Sequence, residues 1–132
     1  MINETLKSVL ELYNSSLISA SIPLYFQEAP QGTNGKYGVM YFMGSTQDEL
    51  MGGADDNIRY LDLQINLFTN KADGGIEISQ MAKDVRAVLD WQKLAIDGYS
   101  CLKFQPTGVE PILYLDNIWQ ITIGYEVGIT KI

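Results

Sequence analysis

Between Gly44 and Asn57 the chain places Asp48, Glu49, Asp55 and Asp56, with no Lys or Arg among them. Asp55-Asp56-Asn57 could supply oxygen ligands to a hard cation. An EF-hand needs ligands at alternating positions, a central glycine and a closing Glu. The run has no such order, so a solvated loop is expected there and a metal is not. Gly32-Thr33-Asn34-Gly35-Lys36 carries the glycines and lysine of a phosphate-binding loop. It lacks the four-residue spacing between glycines and the Ser or Thr after the lysine, and it reads as a turn. Asp73-Gly74-Gly75 precedes a helical pattern and could offer free N–H groups to an anion, but Asp73 would repel one. Cys101 lies in a strand pattern with no histidine anywhere to activate it, so a buried, inert thiol is expected. Two acids distant in sequence could meet as a hydrolytic pair, yet none sits in a local pattern that points to a raised pKa. No catalytic, cofactor-binding or metal-binding residue is assigned. The chain is expected not to be an enzyme.

The remaining residues suited to function are aromatic. Trp119 and Tyr125 fall in the last strand pattern, and Tyr25, Tyr37 and Tyr41 earlier. Each suits ordinary sheet packing or the centre of a protein interface, where aromatics are enriched.

Composition narrows the classes. The chain has 132 residues, enough for one domain with one core. Sixteen acids against nine bases give a net charge of −7, which disfavours binding along DNA phosphates. With no histidine, a His-based triad and an imidazole metal site are excluded. One cysteine forms no internal disulfide, which fits a reducing compartment. Met1-Ile2-Asn3-Glu4 lacks the basic start of a signal peptide, and no stretch approaches the roughly 18 apolar residues of a membrane span. A soluble intracellular domain, with no membrane partner, is the expectation.

The elements follow from periodicity. Leu6, Val9, Leu10, Tyr13 and Leu17 form one helical stripe, with Asn3 placed as cap and Asn14-Ser15-Ser16 as a fraying end. Ile22–Phe26 reads as a strand confined to an edge or a strand start by Pro23. Asn34-Gly35 predicts a hairpin to a second strand, Tyr37–Met43. A long acidic loop, 44–57, follows, and loops of that length are usually functional or mobile. In Ile58–Thr69, Leu61, Leu63, Ile65 and Leu67 alternate with polar residues, which predicts a strand buried on one face. Ile78, Met81, Ala82, Val85 and Leu89 mark a second helix. Asp97-Gly98 predicts a hairpin between Leu94–Ile96 and Tyr99–Phe104, ended by Pro106, Gly108 and Pro111. A long last strand spans Ile118–Ile129. The expected class is α+β: a single antiparallel or mixed sheet of about five strands, two helices packed on it, order α-β-β-β-α-β-β.

This order, over nearly the whole chain, resembles the small tail-terminator or tail-completion proteins of long-tailed phages and prophages. The likeness lies in the N-terminal helix, the Ile22–Phe26 and Tyr37–Met43 strands, the acidic loop, and the alternating strand Arg59–Thr69. It continues in the helix with Ile78, Ala82, Val85 and Leu89, the glycine of the Leu94–Phe104 hairpin, and the long terminal strand. The Pro106–Asn117 segment is longer than that pattern, and no invariant functional residue is carried over. The resemblance implies a non-enzymatic structural protein without cofactor. It would form a homo-oligomeric ring, typically a hexamer, on the head-proximal end of the tail tube. Its partners would be itself, the tail tube protein and the head connector proteins, with DNA only passing through the lumen. Its location would be the virion tail, and the bacterial host cytoplasm during assembly. Asp48, Glu49, Asp55 and Asp56 would then lie at the lumen or a ring face, where acids repel phosphates. Tyr25, Trp119 and Tyr125 would be subunit-interface candidates, because a ring needs two different complementary patches and free sheet edges supply them.

Two other readings remain open from the residues. One is an acidic immunity or inhibitor protein that masks a basic partner with the same carboxylates. The other is a small ligand-binding or hydrolytic domain with Asp55 or Asp56 at a pocket.

Overall fold

The computed structural model describes residues 2–26, 35–48, 58–70, 74–90, 92–96, 98–109 and 111–131. The elements are α1 (Ile2–Asn14), a 3-10 turn (Leu17–Ala20), β1 (Leu24–Phe26), β2 (Tyr37–Asp48), β3 (Ile58–Thr69), α2 (Gly74–Leu89), β4 (Tyr99–Val109), β5 (Leu113–Leu115) and β6 (Ile118–Lys131). The six strands make one mixed sheet in the order β1-β2-β3-β6-β4, with β5 paired to β6 beside β4. The class is α+β, as expected from consecutive strands with two amphipathic helices to bury, with six strands in place of about five.

The centre of the sheet is the β3–β6 pair, in register from Ile58↔Thr130 to Thr69↔Trp119. Side chains of a strand alternate between faces, so Leu61, Leu63, Ile65 and Leu67 share one face with Ile121, Ile123, Tyr125, Val127 and Ile129. All nine are buried. The stripe Ile78, Met81, Ala82, Val85 and Leu89 of α2 covers them, and Leu6, Val9 and Tyr13 of α1 join the same core. The Tyr13 hydroxyl donates to the Ile22 carbonyl, and Ser8 Oγ donates to the Ala95 carbonyl at 2.5 Å. These bonds tie the first helix to the entry of β1 and to the segment after α2.

Several expectations need correction. β1 pairs β2 in parallel, Leu24↔Gly38 to Phe26↔Met40, and not as a hairpin. Gly35 does turn, at φ +77°, but that local signal does not choose a pairing partner. The residues from Gln27 to Lys36 give ample length to return the chain to the start of a three-residue strand. Gly38 N–H donates to the Pro23 carbonyl at 2.8 Å, which sets the register, and Pro23 does precede an edge strand. Leu17 is 96% exposed because α1 ends at Asn14. The hydroxyls of Ser15 and Ser16 donate back to the carbonyls of Leu12 and Tyr13, the competition with the helix that the three polar residues predict. Asn3 lies inside α1, which starts at Ile2, and so is not its cap.

The loop beginning at Gly44 starts later than expected. Gly44–Asp48 continues β2, paired from Gly44↔Asp62 to Asp48↔Ile58 after a bulge at Met43. Polar side chains there hide a strand that backbone pairing maintains. The Leu94–Ile96 arm is also not a strand: only Ile96 bridges Tyr99, around Gly98 at φ +79°. β4 pairs β6 instead and runs through Pro106 to Val109. Proline is tolerated because β4 is an edge, and the bulges at Leu102 and Thr107 bend it. The length of Pro106–Asn117 beyond the resembled pattern holds β5, an extra strand.

Candidate assembly surface

The segment Leu113-Tyr114-Leu115-Asp116-Asn117-Ile118 has alternating bulky residues on either side of two residues that tolerate left-handed backbone. Asp116 and Asn117 both have positive φ, 52° and 64°, which is the two-residue turn whose twist matches paired strands. The turn pairs Leu113↔Gln120, Tyr114↔Trp119 and Leu115↔Ile118, and Tyr114 Oη donates to Asn117 Oδ1 at 3.1 Å across it. Alternation places Tyr114 and Trp119 on the helix side of the hairpin, with ring centroids 4.5 Å apart. Leu113, Leu115 and Ile118 lie on the opposite side.

The hairpin is anchored at its base. The first turn of α2 lies against the indole, where a Cβ on Gly75 would stand 3.4 Å from the Trp119 ring, an ordinary contact. Beyond Trp119 the protomer covers little. Leu115 is 73% exposed, Leu113 56% and Tyr114 55%, and Ile76, one residue past Gly75, is 79% exposed. Exposed apolar side chains thus stand on both faces of one hairpin and on the adjoining helix end, the kind of surface that partners cover.

On the face of the sheet away from the helices several polar groups pair with one another. Asn66 Oδ1 accepts from Gln64 Nε2 at 2.9 Å and from Thr122 Oγ1 at 2.8 Å. Lys103 Nζ is 2.5 Å from Glu126 Oε1 and 4.9 Å from the centroid of the Tyr60 ring. The Glu126 hydrogen bond raises the Lys103 pKa above its ordinary value.

A groove of about 500 Å³ runs along the flank of α2. Its floor is Ala82, Val109 and Ile121, and its rim carries Lys83, Arg86 and Asp90. Asp90 is held from two sides: Tyr125 Oη donates to Oδ1 at 2.6 Å and Arg86 Nε donates to Oδ2 at 3.0 Å. Burial, and then the Asp90 hydrogen bond, push the Tyr125 phenol far above its ordinary pKa, so it is a permanent donor. Among the described residues, no group of three or more His, Cys, Asp or Glu is placed to hold a metal ion, and no helix is long and apolar enough to cross a membrane.

The residues singled out from sequence fall in different places. Tyr25 is half-buried on the edge strand β1, opposite Val39. Trp119 is half-buried at the hairpin base. Tyr125 is 1% exposed, stacked on Phe104 at 4.8 Å, and its side chain belongs to the core of the protomer. Tyr37 stacks on Phe68 at 5.0 Å, and Tyr41 is half-buried opposite Gln64. Cys101 is 8% exposed, the burial expected of it. Asp48 ends β2, whereas Glu49, Asp55, Asp56 and Asp73 lie outside the described residues. Leu113, Tyr114 and Leu115 were missed in the sequence. The signal that could have found them is Asp116-Asn117 between apolar residues.

No family model matches this chain, and no curated protein does. Its fold has been seen before. A chain in the virion of a native gene transfer agent particle superposes with a TM-score of 0.71 at 11% identity, covering 94% of this chain and 92% of that one. A second solved chain superposes with a TM-score of 0.67 at 14% identity, covering 98% of this chain and 93% of its own. At these identities the likeness is one of fold, and it extends over nearly the full length of both partners.

Proposed function

We infer that the chain is a non-enzymatic structural protein of a phage-type virion, acting as a tail terminator. It caps the head-proximal end of the tail tube as a homo-oligomeric ring, a hexamer, stops tube growth and joins the tail to the head connector. The observation that carries this reading is the full-length likeness of fold to a chain of the gene transfer agent virion. Three features of the molecule support it. The sheet has open edges at β1 and at β4 with β5, the arrangement a ring of heterologous contacts uses. Exposed apolar side chains gather at the β5–β6 hairpin. The net charge of −7 suits a lumen through which DNA slides without sticking.

The register also separates the two ends of the sheet. The chain leaves β2 at Asp48 and re-enters β3 at Ile58, opposite Thr130, whereas the hairpin begins beside Thr69. A strand of twelve residues, Ile58–Thr69, puts these ends about 40 Å apart. Asp48 and Ile58 therefore lie at one end of the sheet, and the apolar hairpin at the other. In this reading the acidic end faces the lumen or a ring face, and Tyr25 and Trp119 lie in subunit contacts.

Deleting the coding sequence from the element that carries it tests the role, with particles examined by electron microscopy. Tails of uncontrolled length and heads without tails are expected. Normal particles would overturn the reading.

A further inference from the structure

The geometry points to a specific contact between copies: the Ile112–Ile118 hairpin of one copy seats in the α2 groove of the next. This rests on the ring reading above and names the surfaces that would build the ring.

The two surfaces match in shape class and in charge. The hairpin offers Ile112, Leu113, Tyr114, Leu115 and Ile118, all more than a third exposed, around the Asp116-Asn117 turn. The groove offers about 500 Å³ over the apolar floor of Ala82, Val109 and Ile121, enough to take several aliphatic side chains. The hairpin ends in one acid, Asp116, and the groove rim carries Lys83 and Arg86. Among the described residues neither Lys83 nor Asp116 has an ion-pair partner. Arg86 engages Asp90 through Nε, and its outer guanidinium nitrogens are directed to no other described carboxylate. An aliphatic segment tipped with an acid is therefore the chemistry that the groove recognises, and the chain itself carries such a segment in a fixed conformation.

The contact is heterologous, because hairpin and groove are different patches. Repetition by a rotation that closes gives a ring, and each copy uses one hairpin and one groove. The Tyr125–Asp90–Arg86 bonds hold the rim cation in place before a partner arrives, so little is lost in ordering it on binding.

The test uses two variants changed at exposed positions, so that folding is preserved. One breaks the hairpin (Leu113→Glu with Leu115→Glu) and the other breaks the groove (Lys83→Glu with Ala87→Glu, Ala87 lining it beside Lys83 and Arg86). Circular dichroism and thermal melting confirm that each is folded, and native mass spectrometry reads assembly. Each variant alone is expected to be monomeric at concentrations where the unaltered chain assembles. Mixed in equal amounts, they are expected to give a one-to-one heterodimer and nothing larger, since one good hairpin and one good groove remain. Asp116→Asn, which keeps a residue tolerant of positive φ, is expected to weaken assembly about tenfold, the effect of about 1.4 kcal/mol. If the unaltered chain assembles and both variants assemble equally well, this contact is wrong and the ring reading stands. If the hairpin variant alone fails and the mixture gives no heterodimer, the hairpin meets some other surface. If the unaltered chain stays monomeric at every concentration, both the contact and the ring reading fall.

Discussion

β6 passes through two regions of opposite character. From Ile121 to Ile129 its inward side chains are almost wholly buried beneath α2 and opposite the leucines of β3. At Ile118, and across the turn at Leu113–Leu115, residues of the same apolar type are exposed, with the half-buried Trp119 marking the boundary. Residue type does not separate the regions; the cover does. α2 starts at Gly74 and its first turn rests on Trp119, so strand beyond that point has no helix above it. The buried half of β6 holds the protomer together; at its other end Trp119 still packs against the core and on Tyr114, whereas Leu113, Leu115 and Ile118 stay exposed.

That contrast predicts unequal responses to substitution. Ile123→Ala, in the covered half, is expected to cost about 2–5 kcal/mol of stability through lost transfer energy and a cavity, measured by chemical denaturation. A cost below about 1 kcal/mol would break the comparison. Tyr125→Phe removes the donor to Asp90 without changing ring packing, and is expected to cost about 1–3 kcal/mol because a part-buried carboxylate loses a partner.

Alkaline pH gives a smaller and conditional effect. Burial, with the charge of Asp84 adding to it, raises the Tyr13 phenol to about 12, above its unfolded value of about 10. The folded state thus holds the proton longer. Stability from this group is complete below about pH 10 and is lost as pH rises towards 12. Tyr13→Phe should flatten that alkaline decline, and an unchanged slope in denaturation curves would contradict the assignment. The smallest effect on stability is expected at the hairpin. Leu115→Glu should change it by no more than about 0.5 kcal/mol while abolishing assembly. A large loss of stability would show that the hairpin packs inside the protomer.

Much of the covered region was legible in the sequence. Leu61–Leu67 and Ile121–Ile129 alternate with period two, and Ile78–Leu89 has helical spacing, because burial on one face imposes both patterns. The exposed region was not, since nothing inside the chain requires its residues to be apolar. Leu113-Tyr114-Leu115 is too short for a period, and only Asp116-Asn117 betrayed the turn. Gly44–Asp48 looked like loop because its pairing with β3 is carried by the backbone, which leaves no side-chain pattern. The parallel β1–β2 pair was missed because Asn34-Gly35 reports a local reversal and not which strand lies alongside. Tyr125 read as an interface residue because an aromatic on a long last strand looks the same whether a helix of its own chain or a neighbour covers it.

The central claim is that this chain closes on itself in a ring, and the native mass of the purified protein over a concentration series tests it most directly. A closed homo-oligomer, a hexamer, that forms as concentration rises and is ring-shaped in electron micrographs is the predicted result. A monomer at every concentration up to the millimolar range would contradict it.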